Sequence, residues 1–95
     1  MKVEIKKSTN KNKKLMAIFY DGNKKIKTTH FGAAGMSDYT IHNDDIRKKR
    51  YLDRHRKREN WNDYMSAGSL SRWILWNKKS LKDSVADYRN KFNLT

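Results

Sequence analysis

Three histidines and a handful of carboxylates are the residues of this sequence best suited to bond-making chemistry. His30, His42 and His55 interleave with Asp38, Asp44, Asp45 and Glu59. Imidazole and carboxylate are the ligand types that hold a divalent cation in a nuclease. Their spacings match no metal motif with an understood mechanism. His30 falls in a strand-like stretch and His55 on the inner side of a basic helix, where a lone histidine usually packs or hydrogen-bonds. A metal-dependent nuclease is therefore the third-ranked expectation. Cysteine is absent, which removes thiolate zinc sites, disulfides and cysteine nucleophiles. No Gly-x-Ser-x-Gly elbow or zinc-protease signature is present. The expectation is a protein that is not an enzyme and needs no cofactor or metal.

Phe31-Gly32-Ala33-Ala34-Gly35 invites comparison with loops that cradle phosphate. It lacks the Lys-Ser/Thr ending of a P-loop and the third glycine of a dinucleotide fingerprint. It contains the GxxG of KH domains, but that loop joins two helices, and strands are expected to flank this one. A structural turn is the expected role.

The strongest feature is the run from Arg47 to Arg58. Eight of its residues are Lys or Arg, among them Arg47, Lys48, Arg50, Arg54, Arg56, Lys57 and Arg58. Arginine suits phosphate because its planar fork donates two parallel hydrogen bonds. A helix of this kind can lie along a nucleic-acid backbone or enter a major groove. The alternative is a solvated helix laced by Asp44, Asp45, Asp53 and Glu59. Four acids against eight bases leave that neutralisation incomplete. The run also resembles a nuclear-localisation patch.

A second basic cluster lies upstream. Lys11, Lys13 and Lys14 follow Lys6 and Lys7, and Lys25 and Lys27 follow in the next hairpin with Lys24. Lysine is a flexible point charge suited to sequence-blind backbone attraction. Lysines also guard sheet edges against aggregation. The net charge of +13 on 95 residues exceeds the range of about 2–8 that serves solubility in a small domain. Such an imbalance repels itself and calls for an anionic partner. Trp61, Trp73 and Trp76 could stack on bases. Trp73, at helical spacing from Leu70, is expected in the core.

These residues must be positioned by a small number of elements. Val3 and Ile5 alternate with charged neighbours, as in a half-buried strand. Leu15 to Tyr20 is apolar on both faces, as in a central strand. Asp21-Gly22-Asn23 supplies a turn, and Ile26, Thr28 and His30 share one face of a third strand. Tyr39-Thr40-Ile41 is read as a possible fourth strand. Asn43 or Asp44 caps a helix to about Arg58, with Tyr51, Leu52 and His55 inward and Ile46 pointing elsewhere. Leu70, Trp73, Ile74 and Trp76 mark a short core helix after Ser66. Ser80 with Asp83 resembles a capping box before a final helix whose stripe is Leu81, Val85, Tyr88 and Phe92.

The fold class read from this order is α+β. An antiparallel sheet of three or four strands occupies residues 1–42, and about three helices occupy residues 43–94, in one domain of residues 1–95. The final two helices are expected to cover one sheet face, with the basic helix at the rim. No apolar run approaches the roughly 20 residues of a membrane span. Met1 to Lys7 lacks the apolar core of a signal peptide. The expectation is a protein that is not secreted and does not engage a membrane.

Several strings occur together: His30 to His42, Arg47-Lys48-Lys49-Arg50-Tyr51, Arg54-His55, Glu59-Asn60-Trp61, Ala67 to Ser71, and Ile74-Leu75-Trp76-Asn77. On these the chain resembles a small uncharacterised basic protein family of nucleocytoplasmic large DNA viruses, over roughly residues 25–94. The resemblance implies a viral protein in the cytoplasm or nucleus of an infected cell, or in the virion. It carries over no catalytic residue. The function expected is non-enzymatic binding of nucleic acid, DNA before RNA, through the basic helix and the lysine-rich hairpin, in genome packaging. The rival is a minor capsid or other structural virion protein that bridges acidic protein surfaces.

Overall fold

A computed structural model of the chain describes residues 1–95. Three strands form one antiparallel sheet in the order β1-β2-β3: β1 Lys2–Lys7, β2 Lys13–Asp21 and β3 Lys24–Ala33. The apolar run on both faces of β2 places it at the centre, with Ala17, Ile18 and Phe19 all buried. Gly22, at φ 62°, makes the two-residue connection between β2 and β3 that matches strand twist. A bulge beside Phe19 and Tyr20 skips Ile26 in the β2–β3 register. Ile26 is thereby left exposed rather than paired in sequence with Thr28 and His30.

Helices follow. They are α1 Tyr39–His42, α2 Asp45–His55, α3 Ala67–Leu70 and α4 Leu81–Lys91. The α3 helix continues without a break into a π-helical turn, Ser71–Leu75, closed by the Trp76 amide on the Ser71 carbonyl at 3.0 Å. The architecture is α+β, as the element order predicts, with three strands and four helices rather than three.

Tyr39-Thr40-Ile41 forms the single turn α1 instead of a fourth strand. Capping decides this. The buried Asp38 carboxylate accepts from the Thr40 amide, and Asn43, at φ 52°, closes the turn on the Tyr39 carbonyl. The sheet region thus ends at Ala33 and the helical region begins at Tyr39, not Asn43. Asp44, not Asn43, caps α2, accepting from the Ile46 and Arg47 amides. Ser66 and Ser80 cap α3 and α4, each accepting from the amide three residues on. The α2 helix stops at His55, short of Arg58. There the Arg58 and Glu59 amides both turn onto the His55 carbonyl.

The core lies between one sheet face and the C-terminal helices. Val3, Ala17, Phe19 and Phe31 meet Leu70, Ile74, Leu75, Tyr88 and Leu94. Gly32, at φ 78°, permits this approach, because a Cβ there would stand 2.7 Å from Leu75 Cδ1. Trp73 and Phe92 flank this core half-buried, whereas sequence spacing predicts Trp73 inside it. No helix is long and apolar enough to cross a membrane.

Candidate nucleic-acid interface

The basic helix is anchored by one row of side chains. Tyr51 is buried, and its ring is sandwiched between the Trp76 indole and the His55 imidazole, each with its centroid 4.2 Å away. His42 extends the column beyond Trp76 at 5.4 Å. Burial pushes the Tyr51 hydroxyl up to about 12, so the ring is neutral at every physiological pH. Lys48 lies on the same side. Its Nζ donates to the Asn77 carbonyl at 2.7 Å and sits 4.7 Å from the Tyr39 ring. Burial, then repulsion from Arg72, lowers the Lys48 pKa. Lys48 therefore fastens α2 to the body of the protein.

The opposite arrangement holds for the arginines. At 3.6 residues per turn, Arg47, Arg50 and Arg54 fall within about 60° of one another on one flank. All three are exposed, as are Arg56, Lys57 and Arg58 in the turn that follows. The acids that could neutralise them are engaged elsewhere. Asp44 caps the helix, Asp45 accepts from the Tyr39 hydroxyl, Asp53 pairs with Lys49 at 3.1 Å, and Glu59 faces His55. None of those six cations takes part in an ion pair. The array is a row of unneutralised charge held by an anchored helix.

Beside this flank lies a cavity of about 420 Å³. Arg54 and His55 form one wall, Lys13 and Lys14 at the start of β2 another, and Trp76 and Leu75 the floor. Glu59 Oε1 stands 3.0 Å from His55 Nδ1, within ion-pair reach but off the line a hydrogen bond needs. The Glu59 carboxylate rests against Gly68, where a Cβ would overlap it. Lys14 is not free: its Nζ meets the buried Asp38 carboxylate at 2.6 Å.

The sequence-derived candidates therefore separate into groups. Arg54 and Lys13 meet at the cavity, and Lys11 is exposed in the loop before β2. Lys14 and Lys48 are committed to internal partners. Lys25 and Lys27 pair with Tyr20 and Phe19, about 20–25 Å along the sheet from Lys13 at 3.3 Å per residue. The hairpin lysines thus lie at the far end of the sheet from Lys13, not beside it. The histidines part as well. His30 meets Ser8 Oγ at 2.7 Å, His42 accepts from the Asp44 amide at 2.9 Å, and His55 faces Glu59. No three of the histidines and carboxylates converge on a common point suited to a cation.

One cluster was not legible as a unit in sequence. The Arg72 guanidinium lies over two indoles, 5.4 Å from Trp61 and 4.2 Å from Trp73. Lys91 covers Trp73 at 4.2 Å, and Arg56 approaches Trp61 at 6.0 Å. The result is an alternating ladder, Arg56-Trp61-Arg72-Trp73-Lys91, from the end of α2 to the end of α4. Burial lowers the Arg72 pKa. Trp73 Nε1 and Ser69 Oγ both donate to the Trp61 carbonyl, which fixes the connecting loop.

Fold and interface together define a small α+β protein: a three-stranded meander packed under C-terminal helices, with an anchored basic helix at its rim. The chain belongs to DUF5754, a family of unknown function, which matches residues 3–55, from β1 to the end of α2. No curated protein and no solved structure matches the chain.

Proposed function

We propose that this protein binds nucleic acid without catalysis, holding phosphates on the arginine flank of α2. Arg47, Arg50 and Arg54 form the row, Lys57 and Arg58 extend it, Arg56 turns instead toward Trp61, and Lys11 and Lys13 reach the same strand backbone from the start of β2. DNA is the preferred polymer, and condensing or packaging a viral genome is the role this serves. The observation that carries the reading is the division of labour on α2. Its acids are all engaged, and its exposed arginines have no ion-pair partner. Because the helix is already anchored by Tyr51 and Lys48, the array is ordered before it meets a ligand.

Binding through such an array is sequence-blind and salt-sensitive. Each phosphate neutralised on duplex DNA contributes about 0.9 to the slope of log K against log salt. Anisotropy with unrelated duplex and single-stranded oligonucleotides at two salt concentrations tests it. Similar affinities with a steep salt dependence are expected. Absence of binding at low salt overturns the reading.

A further inference from the structure

We propose that the groove between the free edge of β1 and helix α4 receives an extended, acidic-flanked apolar segment of a partner protein as an added strand. This surface shares no lining residue with the cavity beside α2.

The backbone supplies the first argument. The β1–β2 register runs without a break from Lys2↔Tyr20 to Lys7↔Leu15. Alternate residues of an antiparallel strand direct both backbone groups away from the partner. The Val3 amide bonds the Thr95 carbonyl rather than β2, and the Ser8 amide bonds Lys14 on the opposite side. Val3, Ile5 and Lys7 are therefore the outward residues. Val3 is satisfied, since its carbonyl accepts from Arg89 Nη2 at 3.0 Å. Ile5 and Lys7 have no partner on that side. Two residues of open edge remain beside a position where the chain has already added a strand. Thr95 bridges Met1 and Val3 in the pattern of a parallel pair, with both bonds 3.0 Å long.

The side chains supply the second. Ile5, Leu15 and Val85 rest on the core and form an apolar floor, to which the half-exposed Leu81 adds. The rim is Lys6, Lys7, Lys82 and Arg89; Lys6 reaches Glu4 and Arg89 the Val3 carbonyl, which leaves Lys7 and Lys82 as the unpaired cations, and no acid lines the groove. Its volume is about 590 Å³. Lysines alone would serve as edge protection. An apolar floor flanked by a helix does not protect an edge. It offers pockets for alternate side chains of an incoming strand, whose main chain bonds the edge. The cationic rim selects carboxylates beside those apolar residues. A nucleic-acid backbone has nothing to place on the floor.

Panning short random peptides against the immobilised full chain tests the proposal. Enrichment of sequences alternating Val, Ile or Phe with Asp or Glu is expected. A synthetic peptide from that set should slow hydrogen exchange at the Ile5 and Lys7 amides. Ala86→Trp, an exposed substitution that fills the groove, should weaken peptide binding by roughly tenfold or more and leave DNA binding unchanged. That second reading keeps the groove distinct from the α2 array, whichever of the two fails. No enrichment, enrichment of acidic peptides lacking apolar residues, or affinity unchanged in A86W overturns the proposal. So does protection of Ile5 and Lys7 in the free chain by self-association, or groove-dependent binding to phosphatidylserine vesicles in place of peptide.

Discussion

The Tyr51 ring lies face to face on the Trp76 indole, with centroids 4.2 Å apart and planes 4° from parallel. One residue comes from the basic helix and the other from the end of the π-helical turn. This contact joins the arginine-bearing helix to the core, so its loss should be felt both in stability and in the binding proposed for that helix. Tyr51→Ala should cost about 3–5 kcal/mol, as for a large buried aromatic. A double-mutant cycle with Trp76→Ala should return a coupling of about 0.5–1.5 kcal/mol beyond burial. Urea denaturation checks both, and additive single-mutant costs would show that the stack contributes nothing of its own.

Charge reversal at Arg50, Arg54, Lys57 and Arg58 should leave folding within about 0.5 kcal/mol per site, since exposed substitutions usually cost little. The same variant should lose most of its DNA affinity. Its salt slope should fall by about 0.9 for each phosphate contact removed. Reversing Lys25 and Lys27 at the far end of the sheet should have a smaller effect. Thermal melts paired with anisotropy decide. A variant that folds and binds unchanged would move the interface away from α2.

Lys14 and Lys13 are adjacent in sequence and opposite in role. Lys14→Met leaves the Asp38 carboxylate buried without its partner, which should destabilise the domain by about 3–5 kcal/mol. Lys13→Met, at an exposed residue, should leave the denaturation midpoint nearly unchanged and weaken DNA binding. Equal effects of the two on stability would contradict the paired geometry.

The loop glycines separate two costs. Gly32 and Gly35 both hold positive φ, at 78° and 83°. Alanine at either position should cost about 1–2 kcal/mol for that conformation. At Gly32 the new Cβ also meets Leu75 Cδ1, whereas nothing lies within 4 Å at Gly35. Gly32→Ala should therefore cost about 1–3 kcal/mol more than Gly35→Ala. Denaturation midpoints of the pair provide the measurement.

Buried tyrosines make the fold sensitive to alkali. Burial raises the Tyr51 pKa to about 12 and pushes Tyr88 up as well. A phenol whose pKa is raised on folding stabilises fully below its unfolded value and loses that contribution as pH rises through its folded value. For Tyr51 the loss falls between pH 10 and about 12 and amounts to about 2–3 kcal/mol. Comparison with Tyr51→Phe isolates the tyrosine. The variant should show a shallower fall in stability across that window by denaturant titration.

Much of the sheet was legible because alternation and continuous apolarity map directly onto strand faces. Leu15 to Tyr20 reads as a central strand and Gly22 as the turn after it, and the sheet places both there. The final helix was legible from the Tyr88 and Val85 spacing and the Ser80 cap. Tyr39-Thr40-Ile41 misled because β-branched and aromatic residues favour strands. The Asp38 and Asn43 caps outweighed that preference with two local hydrogen-bonding devices. Trp73 misled because helical spacing reports a face, not what meets it. Its face meets Arg72 and Lys91 as well as the core.

Readable in the chain itself are the excess of positive charge, the lack of cysteine, the α+β order of elements and the inward turn of Tyr51 and His55. These follow from composition and from periodicities fixed by backbone geometry. Which of the charges are free emerges only once the elements have packed together. Lys14 and Lys13 have the same formal charge, yet one neutralises Asp38 and the other faces solvent. Lys48 and Arg50 lie two residues apart on one helix, yet one fastens the helix and the other projects from it. The open edge at Ile5 and Lys7 was equally hidden, because a strand's free backbone groups depend on which neighbours pair with it. Ion pairing and strand pairing join residues distant in sequence, and proximity of that kind is set only when the chain has closed on itself.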